Sequence, residues 1–225
     1  MSALHGESKM GEQQMNGTKV ESRVRSEANA QRPAFLRVER SIREYLSEVQ
    51  EVLERIPVDD ISRVIDALIL AYLQDAQIFI MGNGGSAATA SHFANDLNKA
   101  ASSGGSKRFR AIALTDNVPL LTAWGNDLSY GDIFVEQLKN LYRDSAVVIG
   151  ISGSGNSENV LRALRFAKSQ GGTTIGFTGY QGGKIKQIAS ECIVVPSNCM
   201  QQIEDAHLVL EHLVCTVLRQ EVARL

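Results

Sequence analysis

Five short apolar segments alternate with stretches of helical spacing along most of the chain, and this alternation constrains the fold more than any other feature. The segments lie at residues 77–81, 109–114, 146–151, 173–178 and 192–195. Apolar strands that alternate with helices are typical of a parallel sheet covered by helices on both faces. The pattern therefore predicts an α/β domain with about five parallel strands.

Two helices are predicted ahead of the first strand, as an N-terminal helical hairpin. In the first, apolar residues recur from Phe35 to Ile56 at spacings of three and four, and Pro57 ends it. The second continues with the same periodicity over residues 58–71. The apolar stripe of the first helix could cover the chain's own sheet or face helices of another subunit. A last long helix is predicted over about residues 200–225.

The first 32 residues differ in composition from the rest of the chain. They contain no Phe, Tyr, Trp or Ile and are rich in Ser, Gln, Glu, Gly and Asn. Such a segment buries too little apolar surface to offset its ordering entropy. Residues 1–32 are therefore predicted to be a mobile tail, either an extension without function or an arm that binds a partner. Residues 33–225 are predicted to form a single domain.

Charge and cysteine usage exclude several classes of protein. Lys and Arg number 23 against 25 Asp and Glu, so no basic surplus indicates a nucleic-acid partner. No apolar run is long enough to span a bilayer, and the N-terminus has no apolar signal region, so neither membrane insertion nor secretion is expected. Three cysteines without a CxxC pair favour a reducing, cytoplasmic setting.

The first predicted strand is followed by a glycine-rich loop, Gly82-Asn83-Gly84-Gly85-Ser86-Ala87-Ala88. Glycines let the backbone approach a ligand closely, and the helix that follows, predicted to run to about Lys99, presents amides suited to an anion. A tight turn without a ligand is one alternative. A dinucleotide site is another, because Gly82, Gly84 and Ala87 fit a relaxed G-x-G-x-x-A form. The acidic residue that such a site requires about 20 residues later is missing at the end of the next strand.

A second loop, Ser152-Gly153-Ser154-Gly155-Asn156-Ser157, follows the third predicted strand and precedes a helix. No lysine follows it, so it is not a nucleotide P-loop. Hydroxyls that alternate with glycines suit a single phosphate monoester. Both loops are predicted at the carboxyl ends of strands, where open α/β sheets bind ligands.

These loops, their order and their flanking residues resemble the SIS (sugar isomerase) domain family, and within it the phosphoheptose isomerase group. The resemblance covers roughly residues 35–222. The motifs that carry it are Asn83-Gly84-Gly85-Ser86, His92-Phe93, Gly125-Asn126-Asp127, the loop from Ser152 to Ser157, and the paired histidines His207 and His212. The resemblance implies a flavodoxin-like fold, a homotetramer and active sites at subunit interfaces.

The resemblance also implies roles for individual residues. Those expected to hold the substrate phosphate are Ser86, Ser152, Ser154 and Ser157, and Gly153 is also expected to bind the substrate. Those expected to line the sugar are Asn83, Gly84, Gly85, Asn126 and Asp127, with Asp96 and Glu204 also at the substrate. In members that bind zinc, here one Zn²⁺ per subunit, the ligand positions fall on His92, Asp96, Glu204 and His212. The family usually has Glu where this chain has Asp96, and Gln where it has Glu204.

The sequence spacing of the four expected metal ligands limits which of them can reach one metal ion within a single chain. His92 and Asp96 are four apart and share one helical face, which suits a metal site or a plain ion pair. Glu204 and His212 are eight apart, about 12 Å along a straight helix, which is too far for one metal ion. Either the helix begins after Glu204, or the two residues serve one site from two chains. His207, one turn after Glu204, could be a hydrogen-bonding residue behind the site.

The implied reaction converts sedoheptulose 7-phosphate to D-glycero-D-manno-heptose 7-phosphate. It moves a proton between C1 and C2 through an enediol and needs a base, an acid and a group that stabilises the oxyanion. Asp96 is expected to be the base or a metal ligand, and His212 its acid/base partner. The alternative is a non-catalytic SIS module that binds a sugar phosphate or a protein, as replication-initiator-associating relatives do.

Overall fold

The computed structural model describes residues 36–101 and 107–225, and the predicted tail over residues 1–32 lies outside them. Contacts divide the described residues into two units, 36–48 and 49–225. The first unit is helical, and Leu36, Val38, Ile42 and Leu46 are exposed on it. The second unit contains the sheet and the remaining helices.

Helices and strands alternate along the second unit as the sequence predicts. Helix α1 covers residues 36–54 and so ends before Ile56, while Val52 and Ile56 are buried in the same core as α2. The elements that follow are α2 (Val58–Leu73), β1 (Gln77–Gly82), α3 (Gly85–Asp96), a π-helical turn (Leu97–Ala101), β2 (Arg110–Ala113), α4 (Val118–Asp127), α5 (Val135–Leu141), β3 (Val147–Ser152), α6 (Glu158–Ser169), β4 (Thr173–Thr178), α7 (Ile185–Ile188), β5 (Glu191–Val194) and α8 (Met200–Val222).

The five strands form one parallel sheet in the order β2-β1-β3-β4-β5. This is the flavodoxin-like order of doubly wound folds. The predicted α/β class, the number of strands and their parallel direction are therefore confirmed.

Alternation along the strands builds a core on each face of the sheet. In β1, Ile78 and Ile80 pack with α2, α3 and α8, whereas Phe79 and Met81 pack with α5 and α6. In β3, Val147 and Val148 divide between the same two cores. Strands buried on both faces explain the continuous apolar runs in the sequence.

The end of α3 differs from the predicted helix, which was expected to continue regularly to about Lys99. The α-helix ends at Asp96, and residues Leu97–Ala101 form a π-helical turn. From this turn the side-chain amide of Asn98 bonds the backbone of Ala111 in β2, donating to its carbonyl at 2.8 Å and accepting from its N–H at 3.1 Å.

The three cysteines, Cys192, Cys199 and Cys215, are all free. Among the described helices, none combines the length and the apolar character that crossing a bilayer would require.

Candidate active site

The two glycine loops meet at the point where the strand order reverses. The first glycine loop (residues 82–88) follows β1 and the second glycine loop (residues 152–157) follows β3. Strands β1 and β3 are hydrogen-bonded neighbours and run parallel. In this topology the crevice outside the carboxyl ends of the two central strands is the ligand-binding position. The sheet thus places both predicted loops beside one crevice.

The first glycine loop contains a glycine with positive φ, Gly84, and is fixed by hydrogen bonds to the buried amide of Asn159. Gly84 precedes α3 with φ +56°, a conformation that favours glycine. The Asn83 and Asn159 side-chain amides bond each other in both directions, at 2.9 and 2.8 Å. Tyr130 also donates its hydroxyl to Asn83 Oδ1 at 2.8 Å. Asn83 therefore ties the first loop to the start of α6 and to the segment after α4.

The second glycine loop gathers hydroxyls at the start of α6. Ser152 Oγ and Ser157 Oγ lie 3.1 Å apart, and Ser152 is buried. Ser157 is the residue before the first turn of α6, yet in the described structure its hydroxyl does not cap that turn. Ser154 Oγ accepts from the Asn156 backbone N–H at 3.2 Å. The loop presents hydroxyls and a helix N-terminus, a combination suited to a phosphate.

Helix α8 lies beside α3 and runs in the same direction. At the start of α3, a β-carbon added to Gly85 would lie 2.7 Å from Glu204 Oε2, so the Glu204 carboxylate rests against the first glycine loop. Further along, His92 and Asp96 of α3 meet His212 of α8. The pair of helices therefore connects the crevice with a second group of polar side chains.

That second group consists of His92, Asp96, Glu211 and His212, whose potential ligand atoms all lie within 4.8 Å of one another. His92 Nε2 and His212 Nε2 are 3.4 Å apart, with the rings nearly perpendicular at 82°. Asp96 lies 3.8 Å from His92 Nε2 and 3.9 Å from His212 Nε2. We call these four residues the imidazole–carboxylate cluster.

Glu211 is the member of the cluster that is fully buried. Its carboxylate lies 3.3 Å from His212 Nε2 and 3.5 Å from His92 Nδ1, but within the described residues neither of its oxygens makes a hydrogen bond. Burial, together with the nearby Asp96 carboxylate, raises the pKa of Glu211 to about 8. A buried acid with these surroundings needs a proton or a cation.

His207 belongs to neither the crevice nor the cluster. It is buried, and its Nε2–H donates to the Thr178 carbonyl at the end of β4 at 3.1 Å. Burial lowers the pKa of His207 to about 4, so the ring is neutral at physiological pH. His207 fixes α8 against the carboxyl edge of the sheet.

Asn126 and Asp127 lie at the C-terminal end of α4. Both are exposed, and Asn126 Nδ2 donates to Asp127 Oδ1 at 2.9 Å. Three residues later Tyr130 reaches Asn83, so the chain after α4 is anchored to the first glycine loop. Their expected role beside the sugar remains a prediction.

Three of the four residues expected to bind metal come together in one chain, and Glu204 does not join them. Helix α8 begins at Met200 and includes both Glu204 and His212, so the alternative in which the helix begins after Glu204 is wrong. The arrangement in which the two residues serve one site from two chains stays open as a prediction.

Glu211 was missed in the sequence, although a signal for it exists. It follows His207 by four residues and precedes Val214 by three, within a stripe that also buries Ile203, Leu210 and Leu218. A carboxylate inside an apolar helical stripe is the kind of buried charge that requires a partner.

The donor set of the cluster fits a divalent cation. Imidazole and carboxylate oxygen are both ligands of zinc and of related divalent metals. The buried Glu211 carboxylate, which makes no hydrogen bond within the described residues, supports this fit, because a cation would give its oxygens a partner.

Known proteins resemble the chain in sequence and in fold. A family model described as SIS domain matches residues 44–179. A phosphoheptose isomerase of Aquifex aeolicus is 43% identical over 160 residues, which cover 69% of this chain and 81% of that protein. A phosphoheptose isomerase of Clostridium acetobutylicum is 37% identical over 171 residues, covering 73% and 84%. A solved phosphoheptose isomerase structure from Neisseria gonorrhoeae is 30% identical, with a TM-score of 0.75, covering 81% of this chain and 99% of that one.

Proposed function

Because the chain belongs to the SIS domain family and, within it, to the phosphoheptose isomerases, we propose that it interconverts sedoheptulose 7-phosphate and D-glycero-D-manno-heptose 7-phosphate through an enediol. The observation that carries this proposal is the meeting of His92, Asp96 and His212, which come from helices about 120 residues apart in sequence. A module that only binds a sugar phosphate needs the two glycine loops but has no use for these three groups.

The phosphate is bound by the two glycine loops. Ser86, Ser152, Ser154 and Ser157 offer hydroxyls, and the N-termini of α3 and α6 offer amides and a partial positive charge. The 3.1 Å separation of Ser152 Oγ and Ser157 Oγ lets one phosphate group contact both hydroxyls. Gly84 and Gly153 let the backbone approach the ligand. Glu204, against Gly85, faces the sugar hydroxyls rather than the phosphate, because two anions repel.

The proton transfer is assigned to the imidazole–carboxylate cluster. Asp96 is the base at the carbon or a ligand of the metal, and His212, 3.9 Å from it, exchanges a proton with the substrate oxygen when its Nε2 is not bound to the metal. Asn83, Gly85, Asn126 and Asp127 orient the sugar chain. Because the Asn83 amide is bonded to Asn159 and Tyr130, it is held in place before the substrate arrives.

The cluster is also proposed to hold one Zn²⁺ per subunit. The residues that would hold it are His92, Asp96 and His212, together with either Glu204 of a second chain or Glu211 of the same chain. When bound, the ion supplies a Lewis acid that polarises the carbonyl and stabilises the enediolate. The protein contributes the two imidazoles in a fixed mutual orientation.

The working form is proposed to be a homotetramer with its sites at subunit interfaces. Exposed apolar side chains on two helices support this proposal: Val38, Ile42 and Leu46 on α1, and Val209 and Leu213 on α8. The last two flank His212, so an interface there would bring a second copy beside the cluster. Three free cysteines support a cytoplasmic setting.

The decisive experiment follows isomerisation and binding separately. Purified protein is incubated with sedoheptulose 7-phosphate, and the heptose phosphates are resolved by chromatography. Asp96→Asn and His212→Ala are each expected to lower kcat about 100-fold or more, because each removes a group that transfers a proton. Asp144→Asn, an exposed change in the turn before β3, is the control and is expected to leave kcat unchanged. If the wild type binds the sugar phosphate saturably but does not isomerise it, the proposed isomerase activity is wrong and the chain is a binding module.

A further inference from the structure

Glu211 is buried beside two imidazoles, and within the described residues its carboxylate makes no hydrogen bond. Its side chain is 0% exposed, and within residues 36–101 and 107–225 neither carboxylate oxygen has a hydrogen-bond partner. The polar atoms nearest to it are nitrogens of His212 and His92, at 3.3 and 3.5 Å. A buried carboxylate that makes no hydrogen bond is destabilising, so a fold that keeps one generally uses it for something else.

The distances around Glu211 are those of groups that converge on one ion. Donor atoms of a tetrahedral site with bonds of about 2.0–2.2 Å lie roughly 3.3–3.6 Å apart. Glu211 Oε1 to His212 Nε2 is 3.3 Å, and His212 Nε2 to His92 Nε2 is 3.4 Å. Asp96 stands slightly further out, at 3.8 and 3.9 Å from the two imidazoles. The potential ligand atoms of all four side chains lie within 4.8 Å of one another, with Glu211 on the Nδ1 side of His92 at 3.5 Å, and Glu211 is closer to His212 than Asp96 is.

Glu204 is placed differently, although it lies on the same helix. Its carboxylate rests against Gly85 at the start of α3, seven residues before Glu211, which is about 10 Å along the axis of α8. These two glutamates of α8 therefore lie at different places, Glu204 at the first glycine loop and Glu211 at the imidazoles.

We propose that Glu211, and not Glu204, is the second carboxylate ligand of the cation in this chain, so that His92, Asp96, Glu211 and His212 complete the site within one subunit. This inference rests on the proposed cation of the preceding section. With neutral imidazoles, the two carboxylates balance the charge of a divalent ion, so the loaded site is neutral inside the protein.

The test measures cation binding without reference to activity. Protein stripped of metal by a chelator is titrated with Zn²⁺ in competition with a chromophoric chelator. Glu211→Leu removes the donor, and Glu204→Leu makes the same change on the same helix as the matched control. Glu211→Leu is expected to weaken Zn²⁺ binding about 100-fold or more, beyond the 10- to 100-fold typical of residues behind a metal ligand. Glu204→Leu is expected to change it less than about threefold.

Thermal unfolding and cobalt absorption give independent readouts. Because leucine suits the apolar stripe of α8, the metal-free Glu211→Leu protein is expected to melt above the metal-free wild type while losing the rise in Tm that Zn²⁺ produces. The visible spectrum of bound Co²⁺ is expected to change in Glu211→Gln, which keeps the shape of the side chain but not its charge. A Co²⁺ spectrum unchanged in that variant would overturn the assignment of Glu211 as a ligand.

The outcomes separate this inference from the proposed function. Loss of Zn²⁺ in Glu204→Leu with full binding in Glu211→Leu would overturn the inference and support a site shared between chains. A wild type that isomerises its substrate but binds no divalent cation would likewise overturn it and leave the isomerase standing. A wild type that binds Zn²⁺ through Glu211 and does not isomerise would support the inference while the proposed function fails.

Discussion

His207 shows how a single buried residue couples the stability of this fold to pH. Its Nε2–H is committed to the Thr178 carbonyl, and burial lowers its pKa to about 4 from the ordinary value of 6.5. The unfolded chain therefore binds a proton more readily than the folded one between pH 6.5 and pH 4. Stability is unaffected above pH 6.5 and is lost as the pH falls through this window.

The corresponding prediction compares wild type with His207→Gln, which keeps an N–H donor but does not titrate. From the shift to about 4, His207 is expected to cost the folded state about 2 kcal/mol at pH 5 and about 3 kcal/mol below pH 4. Urea unfolding at pH 7.5 and pH 5 measures the difference. If wild type and variant lose the same free energy of unfolding on acidification, His207 is not the group responsible.

At the scale of elements, the second glycine loop and the segment before α7 approach each other closely. Gly155 has φ +66°, and a β-carbon there would lie 2.2 Å from the Gly182 carbonyl oxygen. Gly171, after α6, has φ +78°, but a β-carbon there would have no described atom within 4 Å. The two glycines share the backbone conformation and differ in the space around them.

This difference makes a matched pair of substitutions. Gly171→Ala is expected to cost about 1–2 kcal/mol, the penalty of a left-handed conformation alone. Gly155→Ala is expected to cost about 3 kcal/mol, because the neighbouring backbone must also move, and to raise the KM for the sugar phosphate by displacing Ser154 and Ser157. Urea unfolding and initial rates measure the two effects. Equal costs and an unchanged KM in both variants would show that the close approach is unimportant for binding.

The elements also show which features can be predicted from the sequence. Strand β4, Thr173–Thr178, coincides with the prediction because Gly171-Gly172 and Gly179 bound the apolar run on both sides. The end of α3 does not coincide, because apolar periodicity distinguishes poorly between an α-turn and the π-helical turn of Leu97–Ala101.

Glu211 was not predicted for a related reason. Its role depends on α3 and α8 lying side by side in the same direction, a packing that local spacing does not reveal. His92 and Asp96 could be paired by their spacing of four residues, whereas the meeting of Glu211 with His92 joins residues 119 positions apart. Tertiary contacts of this kind follow from the order of the strands. The sequence indicated that the strands are parallel but did not specify their order.

At the scale of the whole molecule, the exposed apolar side chains of α1 bear most directly on oligomerisation. Ile42 and Leu46 are 54% and 63% exposed, and these exposed fractions are far larger than those of large apolar residues in a protein core. Ile42→Asp is therefore expected to shift a tetramer toward smaller species in sedimentation velocity. Ser47→Asp, on the same helix but off the apolar stripe, introduces the same charge and is expected to leave the assembly intact. A wild type that sediments as a monomer at micromolar concentration would contradict the proposed tetramer.

The amide of Asn98 has a consequence for how copies of this protein can associate. Strand β2 is one of the two edge strands of the sheet, and the outward-facing N–H and carbonyl of Ala111 are already occupied by this one side chain. A strand from another molecule could not form backbone hydrogen bonds with Ala111 in the middle of this edge. This discourages polymerisation by strand addition at β2. The π-helical turn that carries Asn98 thus protects this edge of the sheet against the addition of a strand from another copy.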